Sequence, residues 1–207
     1  MGQPDRHVPA DVLTPGSASV RDAIEGFQRA QALFGDRVDA VPPASWDAPT
    51  GLPGWSVRRL VAHLVEEQLW VAPLLSGQTP SEVGNRFSAD PLGADPMVAW
   101  EAAADLALTA FAAPDALQRT VVLSYGQTPA ADYCAEMTAD LVVHAWDLAH
   151  AVGGVERLDD KLVTWTLGYA QEHLDGAGVP GLFDAAVDVS EDADEQTRLL
   201  ARYGRRT

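Results

Sequence analysis

Asp140 and His144 stand four residues apart in the stretch ADLVVHAWDLAHAV, whose apolar positions recur at helical spacing. That spacing stacks a carboxylate and an imidazole on one helix face, near enough for both to ligate one ion. Met137 and Leu148 share the face, so the two polar groups sit among core-facing residues, where burial without a partner is unfavourable. An earlier apolar stretch repeats the pattern with His63, set among Leu60, Val61 and Leu64, and with Glu67 one turn later. If the two segments are neighbours, His63, Asp140 and His144 form a two-histidine, one-carboxylate set. Such a set leaves positions open for water and substrate, as a catalytic rather than a structural metal site does. Glu67, and Glu136 one turn before Asp140, are candidate acids or bases beside it. An Asp–His hydrogen bond next to a satisfied core histidine meets the same pattern, and spacing alone leaves both readings open.

The remaining polar and aromatic residues are assigned more plainly. Asp147 reads as the partner of a ligand or as structural, His150 as solvent-facing, and His7 and His173 as outside the set. Trp55, Trp70 and Trp146 could line a pocket but read first as core or loop anchors, and Cys134 as a small core residue. No GxSxG, Walker or dinucleotide fingerprint occurs.

Five helices and a short tail helix must position these groups. Residues 1–15 read as a disordered arm. Ser19 with Asp22 forms a capping-box pattern for a first helix carrying Val20, Ile24, Phe27, Phe34 and Val38, which stops at Pro42-Pro43. A Pro- and Gly-rich loop between Trp46 and Trp55 leads to Ser56 and a second helix over about 57–76, with Pro73 disturbing its last turn. After a polar, turn-rich stretch from Gly77 to Gly93, Asp95 and Pro96 start a third helix. Residues 119–126, RTVVLSYG, read as a strand, and Thr128-Pro129 as the cap and first turn of a fourth helix that runs to Gly153-Gly154. A fifth helix spans about 160–174, and a capping box of Asp192 and Glu195 starts the last. The expected fold is all-α: a four-helix bundle over 16–155, with a short strand or strand pair, and a small helical extension over 156–207 packed on it.

Composition bounds the function. The chain has 207 residues and a net charge of −16, with its basic residues scattered apart from Arg58-Arg59 and Arg205-Arg206. Nucleic acid and anionic membranes are therefore excluded as expected partners. One cysteine rules out an internal disulfide framework, and no run is long and apolar enough for a membrane span. The start, MGQPDRHVPADVL, lacks the apolar run of a secretory signal, so the expected compartment is the cytoplasm. Only Lys161 among the 14 basic residues is lysine, which fits a GC-rich genome.

The segments PTGLPGWSVRRLVAHLVEE (49–67) and ADLVVHAWDLAHAVGG (139–154) closely resemble actinobacterial relatives of mycothiol-dependent maleylpyruvate isomerase, within the DinB-like four-helix-bundle superfamily. The order of elements, and an ending of a Val-rich strand then a short helix with Leu-Leu and Gly-Arg, extend the resemblance over most of the chain. It implies a divalent metal, zinc in the first instance, held by His63, Asp140 and His144, with Asp140 standing where the isomerase itself has Glu. The short remainder after the fourth helix does not match the isomerase's second domain, so the resemblance implies a reaction class rather than a substrate. That class is a metal-dependent transfer, isomerisation or detoxification between a small-molecule thiol such as mycothiol and an electrophilic substrate, by a monomer or homodimer. A metal-dependent hydrolase, a metal- or ligand-binding bundle without turnover, and a purely structural interaction module are the alternatives.

Overall fold

Capping chemistry sets where most helices begin in the computed structural model, which describes residues 19–178 and 184–207. The arm expected over residues 1–15 lies outside them. Helix α1 (Val20–Asp39) opens on a completed capping box: the Ser19 hydroxyl accepts from the Asp22 N–H and the Asp22 carboxylate from the Ser19 N–H, both at 3.2 Å. Ser56 accepts from the Arg59 N–H and starts α2 (Val57–Leu75), which ends two residues beyond Pro73. The turn-rich stretch contains one further helical turn, α3 (Pro80–Val83), because Thr79 and Glu82 also cap one another. Asp95 accepts from the Met97 and Val98 N–H groups, and with Pro96 it begins α4 (Pro96–Phe111).

One expectation about the next segment holds and one is corrected. The short strand or strand pair is a hairpin, in which β1 (Thr120–Leu123) pairs antiparallel with β2 (Gly126–Pro129), Thr120 opposite Pro129. A lone strand would leave its backbone polar groups unpaired, and Gly126 at φ 140° lets the chain fold back to pair them. Thr128 and Pro129 are therefore used up in the ladder, and α5 (Ala130–Val152) starts straight from the strand without a side-chain cap. Gly153, at φ 65°, ends α5 as expected.

Helix α6 (Asp160–His173) is capped by Asp159. The last helix, α7 (Glu195–Arg202), is capped by Asp194, whose side chain accepts from the Thr197 N–H at 2.8 Å, and not by Asp192. Glu195 is the first residue of the helix and instead accepts a hydrogen bond from Thr164 on α6 at 2.6 Å. The Val-rich strand expected before this helix is absent from residues 184–194, where Val187 donates a single backbone bond to Ala201 at 2.9 Å.

Helices α1 and α2 each pack against both α4 and α5, which closes a four-helix bundle, while α6 lies on α5 and carries α7. Phe27, Phe34, Leu60, Leu64, Phe111, Leu141 and Leu148 are fully buried at its centre, each contributing about 1.5–3 kcal/mol of transfer free energy. Val20, expected on the apolar face of α1, is exposed at the first turn. One polar pair crosses the core: the Gln31 amide on α1 donates to Gln68 on α2 at 2.8 Å and to the Ala104 carbonyl on α4 at 2.9 Å. Gly35 admits the Trp100 indole, since a Cβ there would lie 2.9 Å from its Nε1. Among the described residues no helix is long and apolar enough to cross a membrane.

Candidate metal centre

Packing of α2 against α5 brings the two polar pairs together. One donor atom from each of His63, Asp140 and His144 lies within 4.8 Å of the other two, and the two imidazole rings meet edge to face with centroids 5.9 Å apart. His144 Nε2 is 3.4 Å from Asp140 Oδ1, and His63 Nε2 is 3.4 Å from Glu67 Oε1. Glu136 sits one turn before Asp140 on α5 and accepts a hydrogen bond from the Tyr125 hydroxyl of the hairpin turn. The loop preceding α2 supports His63: the Trp55 indole stands edge-on to its ring at 5.1 Å, and the Arg59 guanidinium covers the indole at 4.8 Å.

Asp140 Oδ2 and Glu67 Oε2 are both buried with no hydrogen-bond donor, although the two carboxyl groups are within hydrogen-bonding reach of one another. Two carboxylates cannot satisfy each other; either one carries a proton or a cation lies with them. Burial, then the Asp140 charge, pushes Glu67 well above the usual carboxylate range. Burial also raises Glu136, against the hydrogen bond from Tyr125. His63 is lowered, chiefly by burial, so its imidazole is neutral and available as a ligand. For His144 burial acts downward, but the Asp140 charge and the Asp147 hydrogen bond outweigh it and hold the ring above its ordinary value.

His144 is also fixed from behind. Its Nδ1 lies 2.9 Å from Asp147 Oδ2, and Asp147 in turn accepts from Arg205 Nη2 at 2.6 Å and Nε at 3.0 Å. Burial would raise Asp147, but its bonds to His144 and Arg205 prevail and keep it ionised below the usual range. An acceptor-only carboxylate requires Nδ1 to be the donor, which leaves Nε2 facing Asp140.

The chain's four tyrosines all feel the charge of these carboxylates. Burial, then the charge of Glu67 or Asp140, raises the Tyr133 and Tyr203 hydroxyls. Tyr169 is pushed up to about 12 by burial and by Glu136. All stay un-ionised donors at neutral pH. Tyr125, Tyr169, Tyr203 and Arg205 were not legible as site residues, because they reach α5 from the hairpin, α6 and the tail. Asp147, read as a partner of His144 or as structural, hydrogen-bonds both His144 and Arg205. His150 stacks on Trp146 and bonds Glu156 at the surface, and His173 stacks on Tyr169, so neither joins the set. His7 lies outside the described residues. Trp70 is half-buried against the core, and Cys134 is fully buried.

These shifts give metal-free protein a defined pH response. Glu67 and His144 hold their protons more tightly folded than unfolded, so their stabilisation is complete below about 4.5 and 6.5 respectively and is lost as pH rises through the raised values. His63 has the opposite sign, contributing above 6.5 and losing that contribution as pH falls through its lowered value. Above 6.5 only the decline remains. Thermal unfolding of chelator-treated protein is expected to show lower stability at pH 8 than at pH 6.5, and excess zinc to remove the difference, because an ion displaces the same protons. Stability that rises over this interval without metal would contradict the assignment.

Comparison with known proteins identifies the fold and the family. Crystal structures of the mycothiol-dependent maleylpyruvate isomerase share the fold, with a TM-score of 0.60 for a single-site mutant and 0.58 for a second structure. Each is 16% identical and covers 75% of this chain and 69% of its own. Two proteins of Mycobacterium tuberculosis, from strains CDC 1551 / Oshkosh and ATCC 25618 / H37Rv and both described as uncharacterized, are 32% identical over 155 residues. The matches cover 72% of this chain and 78% of each relative. The profile of the mycothiol maleylpyruvate isomerase N-terminal domain matches residues 27–149, a span that holds His63, Glu67, Glu136, Asp140, His144 and Asp147. Matched over more than half its length, the chain belongs to the mycothiol maleylpyruvate isomerase N-terminal domain family.

Proposed function

We propose that this protein is a metal-dependent enzyme that activates a low-molecular-weight thiol, mycothiol in the first instance, for transfer to or isomerisation of an electrophilic small molecule. The observation that carries the reading is the convergence of His63, Asp140 and His144 beside two buried carboxylate oxygens that have no donor. Those residues fit a divalent cation, zinc by the softness of two imidazoles with one carboxylate. Bound there, the metal would act as a Lewis acid that lowers the pKa of a thiol or water.

The chain's own groups supply the rest. Cys134 is fully buried and its thiol is pushed up to about 12 by burial, so it is no nucleophile at neutral pH and the thiol must come from outside. Glu67, its carboxyl pushed above the usual carboxylate range by burial and the Asp140 charge, is suited to exchange a proton beside the centre. Glu136, which accepts a hydrogen bond from Tyr125, is the second carboxylate able to do so.

The test begins with metal content. Protein purified without chelator or nickel resin is expected to carry about one zinc per chain by elemental analysis, and then to consume mycothiol or another small thiol with a panel of electrophiles including maleylpyruvate. Wild-type protein that takes up no divalent metal even after zinc addition would sink the proposal. Metal without thiol-dependent turnover would reduce it to a binding protein, and turnover with water alone would make it a hydrolase.

A further inference from the structure

We infer that Arg205, in the tail after α7, is a positioning residue for the metal centre: through Asp147 it sets the tautomer and ring orientation of His144. The inference rests on the metal reading above and adds a residue outside the span matched by the family profile.

Arg205 and Asp147 are separated by 58 residues yet meet through a two-point fork, Nε to Oδ1 at 3.0 Å and Nη2 to Oδ2 at 2.6 Å. Oδ2 is the same oxygen that takes the His144 Nδ1 proton, so the guanidinium fixes the acceptor on which the ring's orientation depends. The side chains of Asp147 and Arg205 are 4% and 8% exposed, which removes water as a substitute partner. A third Arg205 bond, Nη1 to the Tyr203 carbonyl at 2.7 Å, prevents the guanidinium from swinging away.

The tail is shaped to deliver this contact. Gly204 adopts φ 77°, and a Cβ there would lie 2.8 Å from the Asp184 backbone carbonyl, so the chain turns tightly against Asp184 and directs Arg205 inward. Arg202 anchors the end of α7 separately, donating to the Leu174 carbonyl at 2.7 Å without touching Asp147. Tail anchoring and ligand orientation therefore reside in different arginines. An ion pair serving stability alone would not need to share its oxygen with a candidate ligand. Without Arg205, Asp147 is free to turn, and the imidazole loses the restraint that keeps Nε2 toward Asp140 and His63.

The experiment is a spectrophotometric Co2+ titration of full-length, chelator-stripped protein. Arg205→Ala is expected to bind Co2+ roughly 10–100-fold more weakly than wild type, as loss of an outer partner of a ligating histidine does, with an altered visible absorption. Arg205→Lys keeps a charge but cannot grip both Asp147 oxygens and the Tyr203 carbonyl together, so it should fall between them; it supplies the readout if the alanine variant does not fold. Arg202→Ala, which loosens the tail alone, should retain wild-type affinity and spectrum. Wild-type affinity and absorption in the folded Arg205 variants would overturn the inference, as would an equal loss in Arg202→Ala. Wild-type protein that binds no Co2+ would overturn the metal reading itself, a distinct result.

Discussion

Asp140→Ala is expected to bind zinc more than about 100-fold more weakly than wild type, beyond the range seen when only an outer partner of a ligand is lost. The reasoning is geometric: Asp140 is the sole carboxylate among the three convergent donors and stands between the imidazoles of two helices. Its removal leaves two neutral ligands and no charge to offset a divalent ion. The metal-free variant, by contrast, should be at least as stable as wild type at pH 8. There Asp140 faces Glu67 with buried oxygens that no donor satisfies, and like charge is relieved when one carboxylate goes. The contact surrendered, 3.4 Å to His144, lies at the edge of hydrogen-bonding range. Affinity by calorimetry and unfolding by circular dichroism on the same preparation decide the matter. Unchanged zinc affinity would remove Asp140 from the ligand set, and a large loss of metal-free stability would recast it as a structural acceptor for His144.

Much of the bundle was legible because local rules agreed with the packing. Ser19, Ser56 and Asp95 cap helices where their types and spacing say they should, and Gly153 stops α5 in the left-handed conformation that favours glycine. Failures came where a pairing partner on another element decided. Thr128-Pro129 has the form of a helix start, but the Val-rich segment before it needed a pairing partner and took those residues into β2. Asp192 and Glu195 have the spacing of a capping box, but Glu195 is drawn to Thr164 on α6 and Asp194 takes the cap. The first competitor is a hairpin partner close in sequence, whereas Thr164 lies outside the window that a local rule reads.

The candidate site divides along the same line. His63 with Glu67 and Asp140 with His144 were legible because a polar residue on an apolar helix face needs a reason, and four-residue spacing supplies one. Their convergence required only that α2 and α5 be neighbours. Asp147 was visible as a partner but not its direction, since three residues after His144 it could have faced inward or outward. Arg205 and the tyrosines had no local signature. Arg205 follows a short helix as one of two adjacent arginines, and only the turn at Gly204 against Asp184 distinguishes the buried one. Tyr169 and Tyr203 sit on elements whose own patterns are explained by packing, and their link to the carboxylates is wholly tertiary.

The buried Asp147–Arg205 pair should dominate the stability of this end of the molecule, and Asp147→Ala is expected to destabilise the protein by about 3–5 kcal/mol. That figure reflects what is left behind. A guanidinium 8% exposed would lose both bonds of its fork and remain without a counter-charge, and the His144 ring would lose its Nδ1 acceptor. Replacing both partners by apolar groups, as in Asp147→Ala with Arg205→Met, is expected to recover most of the loss, because a buried pair exchanged for well-packed hydrophobic residues is often neutral. Urea denaturation of the three proteins measures this directly, and a single variant within about 1 kcal/mol of wild type would contradict the buried pair. The double variant carries the sharper consequence. If the pair exists only to hold the tail, restored stability should bring restored metal affinity; if it orients His144, the refastened protein should still bind divalent metal weakly. Stability and affinity would then separate in one molecule, since hydrophobic packing replaces the strength of an ion pair but not the acceptor that fixes an imidazole.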